Sequence, residues 1–218
     1  MNIVSIDFSL NSPGICIFDD ISKNYTFISY IKSGLGTKKE LKLQEEFSIL
    51  PGCVLIEQPN FELNKDFSGG ELAKILRYKE MASSIMNLIL THTQWEDGFL
   101  FAFEGTSYGS SNTNNVMDLS AAAAILKLKI IETLAPKDIL TVAPSTIKKH
   151  AGKGNMKKDE LFVKFKENCL NDPSLESHPI FEFVANLEES KKVPKPLDDL
   201  IDAYFLNHLI QPNLTSGR

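Results

Sequence analysis

The sequence has 218 residues, 43% of them hydrophobic, which is enough to bury one substantial core and too few for two full-sized domains. We therefore expect one domain over residues 1–210 and a loose tail over residues 211–218. The net charge of −5 counts against a protein that coats DNA through a globally positive surface, because non-specific affinity comes from neutralising phosphates.

The spacing of the apolar residues, cysteines and histidines excludes further classes of protein and of metal site. No run of 18 apolar residues and no basic leader before an apolar stretch is present, so we expect no membrane span, no secretory signal and a cytoplasmic location. The three cysteines form no C-x-x-C pair, and the four histidines form no H-E-x-x-H motif. Any metal is therefore expected to have oxygen ligands.

The first 31 residues predict an antiparallel meander. Residues 2–7, 14–18 and 25–31 are apolar runs, and their connections are too short to contain crossover helices. Residues 38–48 are weakly helical, and residues 53–57 are a candidate for an additional short strand.

Strands and helices alternate in the rest of the chain. Apolar residues recur at steps of three and four over residues 71–89, which is typical of a helix covering a sheet. The later elements are predicted as a buried strand at 99–103, a helix at 116–134, a strand at 139–142, a helix at 159–169 and a last helix at 197–209. The sequence thus predicts an α/β fold with a mixed five-stranded sheet flanked by helices. Residues 171–195 fit either an ordered insertion or a mobile loop.

Two acidic residues follow predicted strands. Asp7 ends the first strand, and Glu104 ends the buried strand at 99–103. In open α/β sheets, ligands gather at the carboxyl ends of the strands. Each carboxylate alone fits a helix cap or a lysine partner equally well. Glu57 is a rival to Glu104, because it also ends a strand-like run; we prefer Glu104, which directly precedes the next strand-helix unit.

Asp199 and Asp202 lie three residues apart on one face of the last predicted helix. Like charges about 4 Å apart repel by about 4 kcal/mol at an effective dielectric of 20, so gathered carboxylates need cations or protons. A solvated helix N-terminus would explain Asp198 and Asp199 alone. Together with Asp7 and Glu104, however, the pair matches a site for two Mg²⁺ ions, with Mn²⁺ able to substitute.

These motifs, in this order, resemble RuvC-type Holliday-junction resolvases, the crossover junction endodeoxyribonucleases of the RNase H-like superfamily. The resemblance covers the opening strand with Asp7 and Gly14, Phe103-Glu104 with the Ala-rich helix that follows, the basic glycine-containing segment 141–158, and the closing D-x-x-D-A of Asp199 to Ala203. It implies an RNase H-like fold and a Mg²⁺-dependent endonuclease that resolves junctions by paired nicks, with Asp7, Glu104, Asp199 and Asp202 as catalytic metal ligands. The sequence departs from the family at 106–108, which replaces a phenylalanine-rich position, and in the length of 171–195.

A basic segment is the predicted contact to branched DNA, namely a four-way junction, flap or fork. Five lysines fall within eleven residues, and two glycines among them allow close approach to a phosphate; the lysines are Lys148, Lys149, Lys153, Lys157 and Lys158. A solvated lysine-rich turn is the alternative. We also predict that Tyr108 stacks on an unpaired base, with a plain surface tyrosine as the alternative.

Residues 120–124 (Ser-Ala-Ala-Ala-Ala) give one predicted helix a stripe of small side chains. In the resolvases that the chain resembles, the corresponding helix helps to form a homodimer, which would suit paired cuts on a two-fold junction. Packing on its own sheet explains the stripe equally well. Two other functions stay open: a degenerate RNase H-like binding module without catalysis, and an actin-like or sugar-kinase-like ATPase, for which 218 residues leave no room for two nucleotide-clasping domains.

Overall fold

The computed structural model describes residues 1–32, 37–58, 67–94, 98–105, 113–187 and 193–211. One mixed sheet organises them, with strand order β4-β3-β2-β1-β5-β6. The strands are β1 (Asn2–Asp7), β2 (Gly14–Asp19), β3 (Asn24–Lys32), β4 (Cys53–Gln58), β5 (Phe99–Glu104) and β6 (Asp138–Val142). The predicted combination of an antiparallel meander and parallel strands is confirmed, since β1, β2 and β3 pair antiparallel while β1, β5 and β6 pair parallel.

The predicted number of five strands is wrong, because the candidate strand at 53–57 joins the sheet as its sixth member. β4 pairs parallel with β3 and forms one edge of the sheet. Its middle residues are half-buried or exposed, as expected at an edge, and this weak hydrophobic pattern explains why the strand was uncertain from sequence.

Helices cover both faces of the sheet. They are α1 (Lys38–Ser48), α2 (Phe67–Thr91), α3 (Thr113–Leu134), α4 (Pro144–Ala151), α5 (Lys158–Asn171), α6 (Pro173–Glu176), α7 (Ile180–Ala185) and α8 (Leu197–Ile210). Alternate strand residues point to opposite faces, so Ile3 packs in the core with α4 to α8, while Val4 packs in the core with α2 and α3. No helix within the described ranges is long and apolar enough to cross a membrane.

Two helical features differ from the sequence-based expectation. Residues 144–151 form α4, which had been predicted only as part of a basic stretch; Pro144 stands at its first turn and Gly152 caps its end. The described part of the 171–195 segment is ordered, because α6 and α7 bury Leu175, Ile180 and Val184 in the core. Of the predicted tail, residues 212–218 lie outside the described residues, whereas the Gln211 amide donates to Tyr25 Oη at 2.9 Å.

Candidate metal centre

Three acidic side chains meet at the carboxyl ends of the central strands. Asp7 and Glu104 end the adjacent parallel strands β1 and β5, whose register pairs Ile6 with Phe103. Asp202 approaches from α8, and each of the three residues offers a carboxylate oxygen within 4.8 Å of the other two. These residues were predicted to converge, and the structure brings them together.

Helix α8 reaches the strand ends because Gly14 has no side chain. Gly14 pairs with Asp7 in the sheet, and a Cβ added to it would lie 2.4 Å from the backbone oxygen of Asp199. Two buried hydrogen bonds hold the helix at this distance: Ser5 Oγ donates to the Ala203 carbonyl at 2.7 Å, and Asn207 Nδ2 donates to the Ile3 carbonyl at 2.9 Å. The close approach of α8 therefore sets the position of Asp202.

Burial and mutual repulsion perturb the acids of this site. Burial, followed by the negative charges of Glu104 and Asp202, raises the pKa of Asp7 well above its ordinary value. Burial and the charge of Asp202 likewise raise the pKa of Glu104 to about 7. Without a cation, the site therefore favours a partly protonated state near neutral pH.

Lysines supply positive charge beside the acids. Lys158 Nζ lies 3.1 Å from Asp202 Oδ2 and 3.6 Å from Asp198 Oδ2. Burial opposes the charge of Lys158, but the carboxylates of Asp202 and Asp198 outweigh it and raise the pKa of Lys158 above its ordinary value. Lys148 lines the adjoining cleft with Asp7 and Glu104.

Asp199 lies at the same end of the sheet but outside the three-acid group. Its carboxylate is buried and forms an ion pair with Lys195. Burial and the neighbouring charge of Asp198 raise the pKa of Asp199. The predicted set of four converging carboxylates is thus found as three, with the fourth nearby and engaged by a lysine. Sequence reasoning missed Lys195 entirely and treated Asp198 only as a helix-terminal charge.

Two of the three acids, Asp7 and Glu104, line a cleft of about 270 Å³. Its apolar wall is formed by Phe8, Leu119, Ala123 and Pro144. The three carboxylates offer only oxygen ligands, which suit Mg²⁺ or Mn²⁺. The donor set therefore fits the metal class expected from the sequence.

The remaining predicted residues are distributed around the site. Lys149, Lys153 and Lys157 are exposed, and Lys153 pairs with Glu160 at 2.6 Å. Tyr108 lies outside the described residues. The rival Glu57 is exposed on the edge strand β4, three strands away from β1, so it does not join Asp7.

Comparison with solved structures assigns the fold. Thermus thermophilus RuvC aligns with a TM-score of 0.51 at 11% identity, covering 99% of this chain and 97% of that one. The chain therefore has a RuvC-like fold. The T. thermophilus RuvC in complex with a Holliday junction substrate gives a TM-score of 0.51 at 9% identity, covering 98% and 96% of the two chains. The yeast mitochondrial Holliday junction resolvase Ydc2 aligns at 0.46 with 12% identity, covering 94% of this chain and 75% of that one.

The RuvC likeness concerns the three-dimensional fold rather than the sequence. No family model matches the chain. No curated protein matches it either. The RuvC-like fold thus carries, at its strand ends, three acids whose carboxylate oxygens could hold a metal ion.

Proposed function

We propose that this protein is a metal-dependent endonuclease that hydrolyses phosphodiester bonds in branched DNA and resolves Holliday junctions by paired nicks. The observation that carries the proposal is the convergence of Asp7, Glu104 and Asp202 within 4.8 Å at the strand ends of a RuvC-like fold. A RuvC of the same fold has been solved with a Holliday junction substrate, which supports the choice of DNA. The proposal takes residues 1–210 as one nuclease domain.

The acids act as ligands. Asp7, Glu104 and Asp202 would hold Mg²⁺, with Asp199 joining as a ligand for a second ion. When bound, Mg²⁺ activates water for attack on phosphorus and stabilises the leaving oxygen. Asp7 and Glu104 must give up their protons to serve as ligands, and their raised pKa values make this exchange dependent on both pH and metal.

The basic residues act on the DNA backbone. Lys148 lies at the cleft beside Asp7 and Glu104, where it can pair with a phosphate entering the site. Lys149, Lys153 and Lys157 extend this positive surface along α4 and the start of α5, and Lys158 links it to Asp202. The proposed DNA path therefore runs over a locally basic surface of an acidic protein.

A homodimer completes the proposal, because two cuts on a two-fold junction need two sites. Helix α3 carries an exposed seam of apolar and small residues at alternating steps of four and three: Met117, Ala121, Ala124, Leu128 and Ile131. This spacing is typical of helices that pack along one another. Ala122 and Leu126 face the protein's own core instead, so packing on the sheet explains that face of α3, and the proposed dimer uses the exposed face.

The decisive experiment for catalysis compares labelled four-way junction, flap and linear duplex, each with Mg²⁺ and with EDTA. We expect Mg²⁺-dependent paired nicks in the four-way junction and loss of at least 10³-fold in rate for Asp7→Asn, because the site loses a ligand charge. Glu57→Gln is the matched control, since its carboxylate lies on the edge strand. Equal rates for wild type and Asp7→Asn would contradict the proposal. Binding without cleavage would instead identify a non-catalytic binding module.

The dimer is tested separately by analytical ultracentrifugation. We expect a dimer for the wild type and a monomer for Leu128→Glu, because a charge would enter the seam. Lys129→Glu on the same helix is the control, since it changes an exposed residue beside the seam. A monomeric wild type at micromolar concentration would rule out this interface.

A further inference from the structure

The ammonium group of Lys195 is surrounded by three oxygen acceptors. Its Nζ donates to Ser12 Oγ at 3.1 Å, lies 3.2 Å from Asp198 Oδ1, and forms its closest ion pair with Asp199 Oδ2. An ammonium has three N–H donors, and these three oxygens provide one acceptor for each. The contacts come from the turn after β1 and from the first turn of α8, so they tie together the two segments that carry Asp7 and Asp202.

The contacts of Lys195 continue into the three-acid group. Asp198 reaches Lys195 through Oδ1 and Lys158 through Oδ2, and Lys158 in turn pairs with Asp202 at 3.1 Å. Acids and lysines thus alternate in an ionic chain that runs Asp199, Lys195, Asp198, Lys158 and Asp202. This chain has three acids and two lysines, and two further acids, Asp7 and Glu104, lie beside its Asp202 end.

The two ends of the chain are therefore not equivalent as ligands. Both end acids contact an ammonium group, Asp202 that of Lys158 and Asp199 that of Lys195, but Asp202 also lies within 4.8 Å of two further carboxylates. A divalent ion entering at Asp199 must displace Lys195 or be repelled by it, because like charges at close range repel each other in a partly buried setting. The side chain of Lys195 is 41% exposed, so it can turn outwards to another anion.

We propose that Lys195 is a positioning residue that withholds Asp199 from metal until DNA arrives. The protein without DNA then binds one divalent ion at Asp7, Glu104 and Asp202. A DNA phosphate provides a competing partner for Lys195, which frees Asp199 for a second ion. This inference rests on the proposed function, since it assumes that the three-acid group binds metal.

The test is a Mn²⁺ titration of the DNA-free protein by isothermal calorimetry, with free ion followed by electron paramagnetic resonance. We expect one ion for the wild type and two for Lys195→Met, with the second ion bound at least tenfold more tightly than any second ion in the wild type. Lys164→Met is the matched control, because Lys164 pairs with Glu167 on α5, away from this chain. Adding Asp199→Asn to Lys195→Met should remove the second ion, and Lys195→Arg should keep the wild-type single ion.

The outcomes separate the two proposals. Identical isotherms for wild type and Lys195→Met would overturn the role of Lys195 while leaving the nuclease proposal intact. Absence of Mn²⁺ binding in the wild type, or binding that Asp7→Asn leaves unchanged, would overturn the metal site itself and the inference with it. If Lys195→Met does not fold, Ser12→Ala removes one acceptor at a half-buried surface position and should give a smaller gain in second-ion affinity; no gain would count against the inference.

Discussion

The two halves of helix α8 are both buried, but the first half buries acidic side chains and the second half buries uncharged ones. The first half, residues 197–202, brings Asp199 and Asp202 to the acidic site with exposures of only 6% and 7%. The second half, residues 203–210, buries Tyr204 and Asn207 completely against the sheet. One helix thus gathers like charges in its first half, where Leu200 also packs in the core, and is anchored to the sheet by its second half.

The difference lies in how the buried polar groups are satisfied. Asn207 donates two hydrogen bonds, to the carbonyls of Ile3 and Cys16 at 2.9 and 3.0 Å. Tyr204 packs against Phe165 at a centroid distance of 4.9 Å. In the first half, like charges meet and are only partly offset by Lys158 and Lys195. The packing of residues 203–210 therefore offsets the destabilising repulsion among the acids near residues 197–202, which the proposed function requires.

Removing the anchor should have the largest effect on folding. We expect Tyr204→Ala to lower the free energy of unfolding by about 3–5 kcal/mol, because the substitution leaves a cavity among the aromatic rings of the core. Urea denaturation measures this change. Phe183→Ala, at a half-buried position on α7, serves as a milder comparison. A loss of less than about 1 kcal/mol for Tyr204→Ala would mean that the second half of α8 is not the anchor.

Moving the helix should affect both halves. We expect Gly14→Ala to cost about 3 kcal/mol of stability, the upper end for overpacking, because the new Cβ would meet the backbone of Asp199 at 2.4 Å. The shift should also move Asp202 away from Asp7 and weaken Mn²⁺ binding at least tenfold in the folded protein. Gly98→Ala is a partial control, since its added Cβ meets no atom within 4 Å, although its positive φ adds a small strain. Unchanged Mn²⁺ affinity in folded Gly14→Ala would show that the contact does not position Asp202.

The contrast between the halves explains what the sequence could predict. Asp7 and Glu104 were found because each follows a strand with its own local pattern, and Asp202 because the D-x-x-D spacing puts it on the same helix face as Asp199. The strand at 99–103 was recognisable because it is apolar on both faces. Such features depend on neighbouring residues, and the hydrophobic pattern reports them directly.

The features that were missed depend on contacts between distant residues. Lys195 meets Ser12 across 183 positions of sequence, and no local pattern indicates which lysine will face Asp199. Helix α4 was missed for a different reason. Pro144 at its start and Gly152 at its end are typical helix boundaries, but this segment was interpreted only for its charge. The strand count of five was wrong because edge strand β4 has only a partly buried pattern.

Removing the buried, ionisable carboxyl of Glu104 should change stability in a pH-dependent way. The pKa of Glu104 is raised from 4.5 to about 7, so the folded protein holds a proton that the unfolded chain has released. This contribution to stability is full below about pH 4.5 and is lost as pH rises through about 7. We expect metal-free Glu104→Gln to gain on the order of 2 kcal/mol relative to wild type between pH 5 and pH 8.

Thermal unfolding in EDTA and in Mg²⁺ measures the effect of Glu104. Comparing the variant with the wild type at each pH cancels the titration of other groups, including His178, whose pKa is lowered by burial. Saturating Mg²⁺ should stabilise the wild type more at pH 8 than at pH 5, because the ion favours the ionised acids. A difference between variant and wild type that does not vary with pH would contradict the raised pKa of Glu104, which burial and the charge of Asp202 cause.

Charges outside the ionic chain should affect DNA binding without affecting folding. Lys153, Lys157 and Lys158 are all exposed near the start of α5, and Lys158 differs from the other two by its ion pair with Asp202. We expect Lys153→Ala with Lys157→Ala to change the free energy of unfolding by less than about 0.5 kcal/mol, because exposed charges contribute little to stability. The same double variant should make the plot of log affinity for a four-way junction against log salt concentration less steep, by about 1 to 2. The reason is that fewer counterions leave the DNA when fewer lysines contact its phosphates. Fluorescence anisotropy in Ca²⁺ or EDTA measures the slope, with Lys164→Ala on α5 as the control. An unchanged slope would mean that the DNA does not run over this surface. A large loss of stability would mean that these two lysines contribute to folding, as the buried charges in the first half of α8 do.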